Sequence, residues 1–189
     1  MDMVTRTPLR EPMAGIVLAG GLSQRMGRDK ALLPWQGRTL LEHACGTLRL
    51  AGATRLWVSG CHPAFGGIPD RVQRCGPLGG LYSTMLQMPD GDAWVLPVDM
   101  PLIAPQLLAR LADAQARCVV FDGYPLPMKI TVDDNCRRLL AAMIADADGP
   151  RSLRALQQRL DATAIVPAAG EVLQLVNCNT PEQWKELAS

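Results

Sequence analysis

The alternation of short apolar runs with amphipathic segments is the strongest constraint on the fold of this chain. The runs AGIVLA, TRLWVSG, AWVLPVD and RCVVFDG are typical of strands, and the middle two are apolar enough for burial on both faces. Between them, apolar residues recur at i, i+3 and i+4 in TLLEHACGTLRLA, GGLYSTMLQM and APQLLARLADAQA, as in helices. Strands that alternate with helices form sheets covered on both faces. The sequence therefore predicts a three-layer α/β/α unit with a mostly parallel sheet.

Helix start signals support several of these segments. Thr39 and Glu42 have the spacing of a capping box, and Pro105 suits the first turn of a helix. In the less regular second half, Thr180 and Pro181 predict a last helix over TPEQWKEL. There the pattern also indicates an extended PLPMKI, a short strand LQLVN, and helices over NCRRLLAAMIADA and SLRALQQRLDA.

Composition excludes several classes of protein. With 189 residues, 48% hydrophobic, 20% charged and a formal net charge of +1, the chain has no basic excess that would indicate nucleic-acid binding. No apolar run approaches the roughly 20 residues that span a bilayer, and the first residues lack the apolar core of a secretory signal. We therefore expect a cytoplasmic protein with no membrane partner. Residues 1–12 are expected to form a flexible tail and residues 13–189 a single domain.

The cysteines indicate neither a zinc site nor a redox motif. All six stand apart, without a C-x-x-C pair. We expect reduced thiols that are mostly buried, because free cysteine behaves as a small apolar side chain.

The loop after the first strand, AGGLSQRMGRDK, is suited to a phosphate. Gly20 and Gly21 can adopt positive φ and let backbone N–H groups approach an anion closely. Arg25 and Lys30 add positive charge that a polyphosphate would neutralise. The alternative is a surface turn with solvated charges. The loop matches neither the P-loop nor the G-x-G-x-x-G pattern, which disfavours a P-loop NTPase and a Rossmann dehydrogenase.

Two later junctions have similar chemistry. The stretch CGPLGGL opens a helix whose N-terminal N–H groups are able to meet another part of a ligand. In LPVDMP, Asp99 follows a central strand, where its alternative role is that of a cap or turn residue. A carboxylate facing a phosphate loop would hold Mg²⁺, which prefers one or two carboxylates together with substrate phosphates. Ligands of open α/β sheets lie beyond the carboxyl ends of the strands, so these junctions predict one polyphosphate and metal site.

These motifs resemble a known family. LAGGLSQRMGRDKALL is similar to the signature of the molybdenum cofactor guanylyltransferases, the MobA proteins, and GPLGG, VDMP and NCNTPEQW continue the likeness in order over nearly all of the chain after the tail. The resemblance implies a Rossmann-like nucleotidyltransferase fold and transfer of GMP from GTP to the phosphate of molybdopterin, with release of pyrophosphate. It implies Mg²⁺ as the metal, with Mn²⁺ as an alternative, and allows transient contact with molybdoenzymes or their chaperones.

The resemblance also assigns roles to individual residues. Asp99 matches the metal ligand, and Arg25 and Lys30 match the phosphate-contacting cations, so these three are the expected catalytic residues. Asp70 is similar to an acidic residue that accepts hydrogen bonds from guanine N1–H and N2–H₂, with an exposed loop carboxylate as the alternative. The other residues expected to bind the nucleotide or the pterin are Leu18, Ala19, Gly20, Gly21, Gly76, Gly79 and the paired asparagines Asn177 and Asn179, which could instead be turn residues.

The sequence departs from the family pattern at several points. Cys178 stands where an aliphatic residue is usual, and the segment 61–75 near the base site is shortened. Lys129, within PLPMKI, either meets the pterin phosphate or faces solvent. His62 and His43 lack a predicted nucleophile partner, and His62 is expected to be an incidental loop residue.

Two alternative functions stay open. The first is a cytidylyltransferase for the same pterin; such proteins usually read LAAG where this chain reads LAGG, so the likeness favours guanine. The second is an accessory protein that carries nucleotide or pterin without catalysis. A carrier would not need Arg25, Lys30 and Asp99 together, which argues against it.

Overall fold

The computed structural model describes residues 12–20, 29–72 and 74–178. The strands are β1 (Ala14–Leu18), β2 (Pro34–Trp35), β3 (Arg38–Thr39), β4 (Arg55–Ser59), β5 (Gly91–Pro97), β6 (Cys118–Phe121), β7 (Tyr124–Val132) and β8 (Thr163–Ile165). The α-helices are α1 (Leu40–Leu50), α2 (Gly76–Met85), α3 (Pro105–Asp113), α4 (Asp134–Ala145) and α5 (Leu153–Arg159). Short 3₁₀ helices span Lys30–Leu32, Pro63–Phe65 and Ala169–Leu175.

The main sheet has the strand order β4-β1-β5-β7-β6-β8. β1 runs parallel to β4 and β5, and β8 runs parallel to β6, whereas β7 is antiparallel to both of its neighbours. The carboxyl ends of β1, β4 and β5 therefore meet at one edge, and the start of β7 reaches the same edge. The expected mostly parallel sheet is confirmed.

Helices cover both faces of the sheet, which confirms the three-layer arrangement. α1 and α3 pack on one face, where Val17 joins Leu40 and Leu107 in one apolar core. α2, α4 and α5 pack on the other face, where Ile16 joins Leu78 and Leu140. Alternate residues of β1 thus enter opposite cores, as the period of a strand requires.

Local signals in the sequence set the helix starts as expected. The Thr39 hydroxyl accepts from the Glu42 backbone N–H at 3.1 Å, and the Glu42 carboxylate accepts from the Thr39 N–H at 2.7 Å, so the capping box is complete. Pro105 is the first residue of α3. All six cysteines are free thiols and only Cys61 is exposed, as expected. Among the described helices, none is long and apolar enough to cross a membrane.

The end of the chain differs from the sequence prediction. LQLVN was expected to be a strand, but Ala169–Leu175 forms a 3₁₀ helix. The Gln174 side chain accepts from the Ala104 N–H at the start of α3, and Glu171 pairs with Arg110, so contacts with α3 outweigh the local alternation. The predicted helix from Thr180 and most of the predicted tail lie outside the described residues.

Candidate active site

A cleft of about 370 Å³ opens at the carboxyl edge of the sheet. Of the residues predicted for the site, Leu18, Ala19, Gly20, Lys30, Asp99 and Asn177 line this cleft. Pro77, next to the predicted Gly76 in the first turn of α2, lines it too. Gly21, Arg25 and Asn179 lie outside the described residues, so their roles stay predictions. The three strand junctions therefore converge on one cleft, as their positions predicted.

Lys30 and Asp99 face each other in the cleft. The Lys30 Nζ lies 3.2 Å from the Asp99 Oδ2, and the two side chains are 13% and 23% exposed. Asp29 caps the short helix that carries Lys30, because its Oδ1 accepts from the Ala31 N–H at 3.0 Å. Asp99 follows β5, where the Val98 N–H donates to the Leu18 carbonyl at 3.2 Å and fixes this turn against the end of β1. A cation and a carboxylate are thus held side by side by separate elements.

The last described residues complete the same wall of the cleft. The Cys178 N–H donates to the Asp99 carbonyl at 2.8 Å, which places the neighbouring Asn177 in the cleft lining. Burial raises the pKa of the Cys178 thiol, an effect that the nearby Lys30 ammonium opposes. Cys178 is fully buried, so it packs as the aliphatic residue usual at this position would.

Asp70 lies close to the start of the glycine-rich loop. A Cβ at Gly20 would lie 3.7 Å from the Asp70 Oδ1, and a Cβ at Gly79 would lie 3.6 Å from its Oδ2. Burial raises the pKa of this carboxyl. Its Oδ1 is buried, and no described residue donates a hydrogen bond to it. Buried polar atoms normally have a partner, so the orphaned oxygen indicates a ligand or solvent donor at this position.

Gly76 and Gly79 serve different structural needs. Gly76 begins α2 with φ +55°, a conformation that favours glycine. At Gly79 a Cβ would lie 2.9 Å from the Val72 carbonyl oxygen, so the backbone of α2 packs against residues 70–72 without room for a side chain. Gly76 therefore sets the start of α2, and Gly79 shapes the surroundings of Asp70 by close approach.

The position of Lys129 differs from both alternatives predicted from the sequence. It neither reaches the cleft nor faces solvent: its Nζ pairs with the Asp92 carboxylate at 3.0 Å and donates to the Ala114 carbonyl at 3.2 Å. The reason is the pairing of β7 with β5, which sets Lys129 opposite Trp94 in the middle of β5, away from the carboxyl end of that strand. The other end of β7 supplies wall residues that the sequence analysis missed, namely Tyr124, Pro125 and Leu126.

The two histidines have backbone partners. His43 in α1 donates from Nε2 to the Pro101 carbonyl at 2.8 Å. His62 is 7% exposed, with its Nε2 3.2 Å from the Ala19 carbonyl oxygen. His62 lies in a loop, as expected, and it is buried there against Ala19 of the cleft lining. Its signal in the sequence was weak, because only the fold brings the segment after β4 next to the loop after β1.

The described residues suit a metal that takes most of its ligands from a substrate. They contain no cluster of three or more His, Cys, Asp or Glu side chains able to hold an ion. Asp99 offers one carboxylate in the cleft, and Asn177 lies in the same lining. Mg²⁺ is often bound by one or two carboxylates, with phosphates and water completing its shell, so this donor set fits it.

Solved structures share this fold. Molybdopterin-guanine dinucleotide biosynthesis protein A from Archaeoglobus fulgidus superposes with a TM-score of 0.72 at 20% identity, covering 93% of this chain and 97% of that one. A 2-C-methyl-D-erythritol 4-phosphate cytidylyltransferase from Thermus thermophilus gives a TM-score of 0.70 at 16% identity, covering 94% and 97%. A Mycobacterium tuberculosis protein solved with manganese superposes with a TM-score of 0.64 at 20% identity, covering 94% of this chain and 98% of that one.

Curated relatives align over almost their whole length. A molybdenum cofactor guanylyltransferase from Xanthomonas euvesicatoria is 49% identical over 181 residues, which cover 95% of this chain and 96% of that protein. A probable molybdenum cofactor guanylyltransferase from Chloroflexus aggregans is 32% identical, covering 94% of each. Together with the cleft, the fold defines an α/β nucleotidyltransferase. The chain belongs to the family described as the MobA-like NTP transferase domain, whose sequence model matches residues 15–163.

Proposed function

We propose that this protein transfers GMP from GTP to the phosphate of molybdopterin and releases pyrophosphate. The observation that carries the proposal is the Lys30–Asp99 pair in the cleft, at 3.2 Å, in a chain 49% identical to a molybdenum cofactor guanylyltransferase. An oxygen of the acceptor phosphate attacks the α-phosphorus of GTP, and the bond to the leaving pyrophosphate breaks. This reaction needs alignment of two anions and stabilisation of charge, without a covalent enzyme intermediate.

The residues of this chain divide that task. Lys30 neutralises charge on the triphosphate, and the N–H groups at the start of α2 are available to a second anionic or polar group of the substrates. Asp99 would hold the metal, and Asn177 lies in the same cleft lining. Bound Mg²⁺ would neutralise negative charge on the phosphates. We assign Mg²⁺ on its ordinary preference for phosphates, with Mn²⁺ as the alternative.

Asp70 supports guanine as the base. A carboxylate only accepts hydrogen bonds, and its Oδ1 lacks a donor among the described residues. Guanine presents N1–H and N2–H₂ on one edge, so it offers adjacent donors to such a carboxylate. The corresponding edge of cytosine offers its N4–H₂ donor next to acceptors. Asp70 would therefore face acceptors on cytosine and donors on guanine, which favours GTP over CTP. Since the reaction consumes GTP, we place it in the cytoplasm.

The test is release of pyrophosphate by purified protein with Mg²⁺ and molybdopterin, comparing GTP with CTP, ATP and UTP. We expect release with GTP, loss of release on chelation of the metal, and loss in Asp99→Ala. Asp90→Ala is the matched control, because Asp90 precedes the same strand at its other end and its side chain is 66% exposed. Release with CTP alone would assign the protein to cytidylyl transfer. Nucleotide binding without release would favour the carrier.

A further inference from the structure

His62 is held rigidly although it lies between secondary-structure elements. Its backbone N–H donates to the Gly60 carbonyl at 3.0 Å, and its carbonyl accepts from Phe65 at 2.9 Å and from Gly67 at 3.0 Å. The side chain is 6% exposed. The turn that follows β4 therefore holds the backbone of His62, and the ring is buried.

The imidazole contacts both flanks of the glycine-rich loop. Its Nε2 lies 3.2 Å from the carbonyl oxygen of Ala19, the first residue of the loop, and its Nδ1 lies 3.6 Å from the Oδ2 of Asp29, near the end of the loop. Both partners are acceptors. Each ring nitrogen thus lies close to an acceptor, and the two acceptors belong to residues that are ten positions apart in sequence.

The contact with Asp29 leads directly to the phosphate-binding cation. The other oxygen of Asp29 accepts from the Ala31 N–H at 3.0 Å and starts the short helix Lys30–Leu32. Lys30 then reaches Asp99 at 3.2 Å. A displacement of the Asp29 side chain would disturb the cap of the short helix that carries Lys30.

We propose that His62 is a positioning residue for nucleotide binding: it ties Ala19 to Asp29 across the loop and so fixes Lys30 opposite Asp99. This inference rests on the proposed function, because it assumes that the loop receives the phosphates of a nucleotide. His62 touches neither the cation nor the carboxylate, and acts through Asp29 and the backbone.

The experiment is a double-mutant cycle on nucleotide affinity. Dissociation constants for Mg²⁺–GTP are measured by titration calorimetry, without pterin, for wild type, His62→Ala, Asp29→Asn and the double variant. Asp29→Asn keeps a side-chain oxygen for the Ala31 N–H and removes the charge. We expect His62→Ala to weaken binding by about 10- to 100-fold, the scale of a slightly misplaced binding group. The double variant should bind no more weakly than His62→Ala, since both changes break one linkage.

Controls separate positioning from general stability. His62→Gln retains one side-chain donor and should fall between wild type and His62→Ala in GTP affinity. Thr47→Val removes a buried hydroxyl that donates to the His43 carbonyl within α1. It should lower the melting temperature and leave the dissociation constant for GTP unchanged.

Each outcome bears on the inference separately from the proposed function. The role of His62 would be overturned if the two single losses of GTP affinity multiply in the double variant. It would also be overturned if a folded His62→Ala variant binds GTP as tightly as wild type. If wild type binds GTP but releases no pyrophosphate, the proposed reaction is wrong. The dissociation constants of the double-mutant cycle would still test the role of His62. If wild type binds none of the four nucleoside triphosphates, both proposals are wrong.

Discussion

Lys30 and Asp99 lie 3.2 Å apart although one precedes α1 and the other follows β5. The pair joins a cation suited to phosphate with a carboxylate suited to a metal. Each is only partly exposed, so neither charge is fully screened by water. The cleft therefore holds a cation and a carboxylate side by side at the point where a charged substrate would bind.

The first prediction concerns this pair. Lys30→Ala and Asp99→Ala should each lower the rate of pyrophosphate release by at least about 10²-fold, which corresponds to about 2.7 kcal/mol of barrier. The first removes a positive charge that stabilises the transition state, and the second removes the carboxylate that would hold the metal. The rate is measured at saturating GTP and pterin, with circular dichroism to check the fold. Turnover close to wild type in either folded variant would contradict the assigned role.

The second prediction concerns Asp70. Its pKa is raised by burial, so at neutral pH ionisation of this carboxyl opposes folding. Asp70→Asn should raise the free energy of unfolding at pH 7, and the gain should vanish as the pH falls below the ordinary value of 3.8. The measurement is urea denaturation at both pH values.

The same variant should lose selectivity for the base. Asparagine places a donor and an acceptor where the carboxylate places two acceptors, so GTP loses its advantage over CTP. We expect the ratio of kcat/KM for GTP to that for CTP to fall by roughly 10-fold or more, as when one charged hydrogen bond is lost. An unchanged ratio would remove Asp70 from the base site.

The third prediction concerns Lys129. It is 6% exposed and pairs with Asp92 at 3.0 Å, so Lys129→Ala leaves a partly buried carboxylate without its cation. The free energy of unfolding should fall by about 1–3 kcal/mol. The kcat and KM should stay within about twofold of wild type, because Lys129 lies away from the cleft. A loss of activity without a loss of stability would instead place Lys129 at the acceptor.

The fourth prediction concerns the packing of α2. At Gly80 a Cβ would lie 2.2 Å from the Ser59 Oγ and 3.2 Å from the Asp70 Oδ1. Gly80→Ala should therefore destabilise the protein by about 1–3 kcal/mol and weaken GTP binding, since Asp70 must move. Gly46→Ala is the control: its Cβ would lie 3.6 Å from the Arg38 Nη1, and it should stabilise α1 by up to about 1 kcal/mol. The packing argument would be contradicted if both variants changed the melting temperature by the same amount in the same direction.

Much of the fold could be predicted because local signals agree with long-range packing. The capping box at Thr39 specifies the start of α1, and the apolar run of β5 specifies a buried strand. β7 was predicted as extended, but its direction depends on pairing with β5 and β6, which no local pattern encodes. β8 was missed because it is a three-residue edge strand with exposed residues.

The site was predictable where chemistry follows directly from a strand end. Lys30 and Asp99 carry such signals, and both line the cleft. His62 and Tyr124 do not, because each reaches the site through the pairing of distant segments. Lys129 gave a false signal, since a lone cation in an apolar strand suggests a ligand until its partner Asp92 is known.

The hydrogen bond from the Cys178 N–H to the Asp99 carbonyl also bears on how the protein is made. The two residues are far apart in sequence, so this wall of the cleft closes only after almost all of the described chain has been synthesised. Sheet strands near the N-terminus are available to pair earlier, as domains form during translation. A nascent chain would then contain most of the sheet and the Lys30–Asp99 pair before this wall of the cleft is complete.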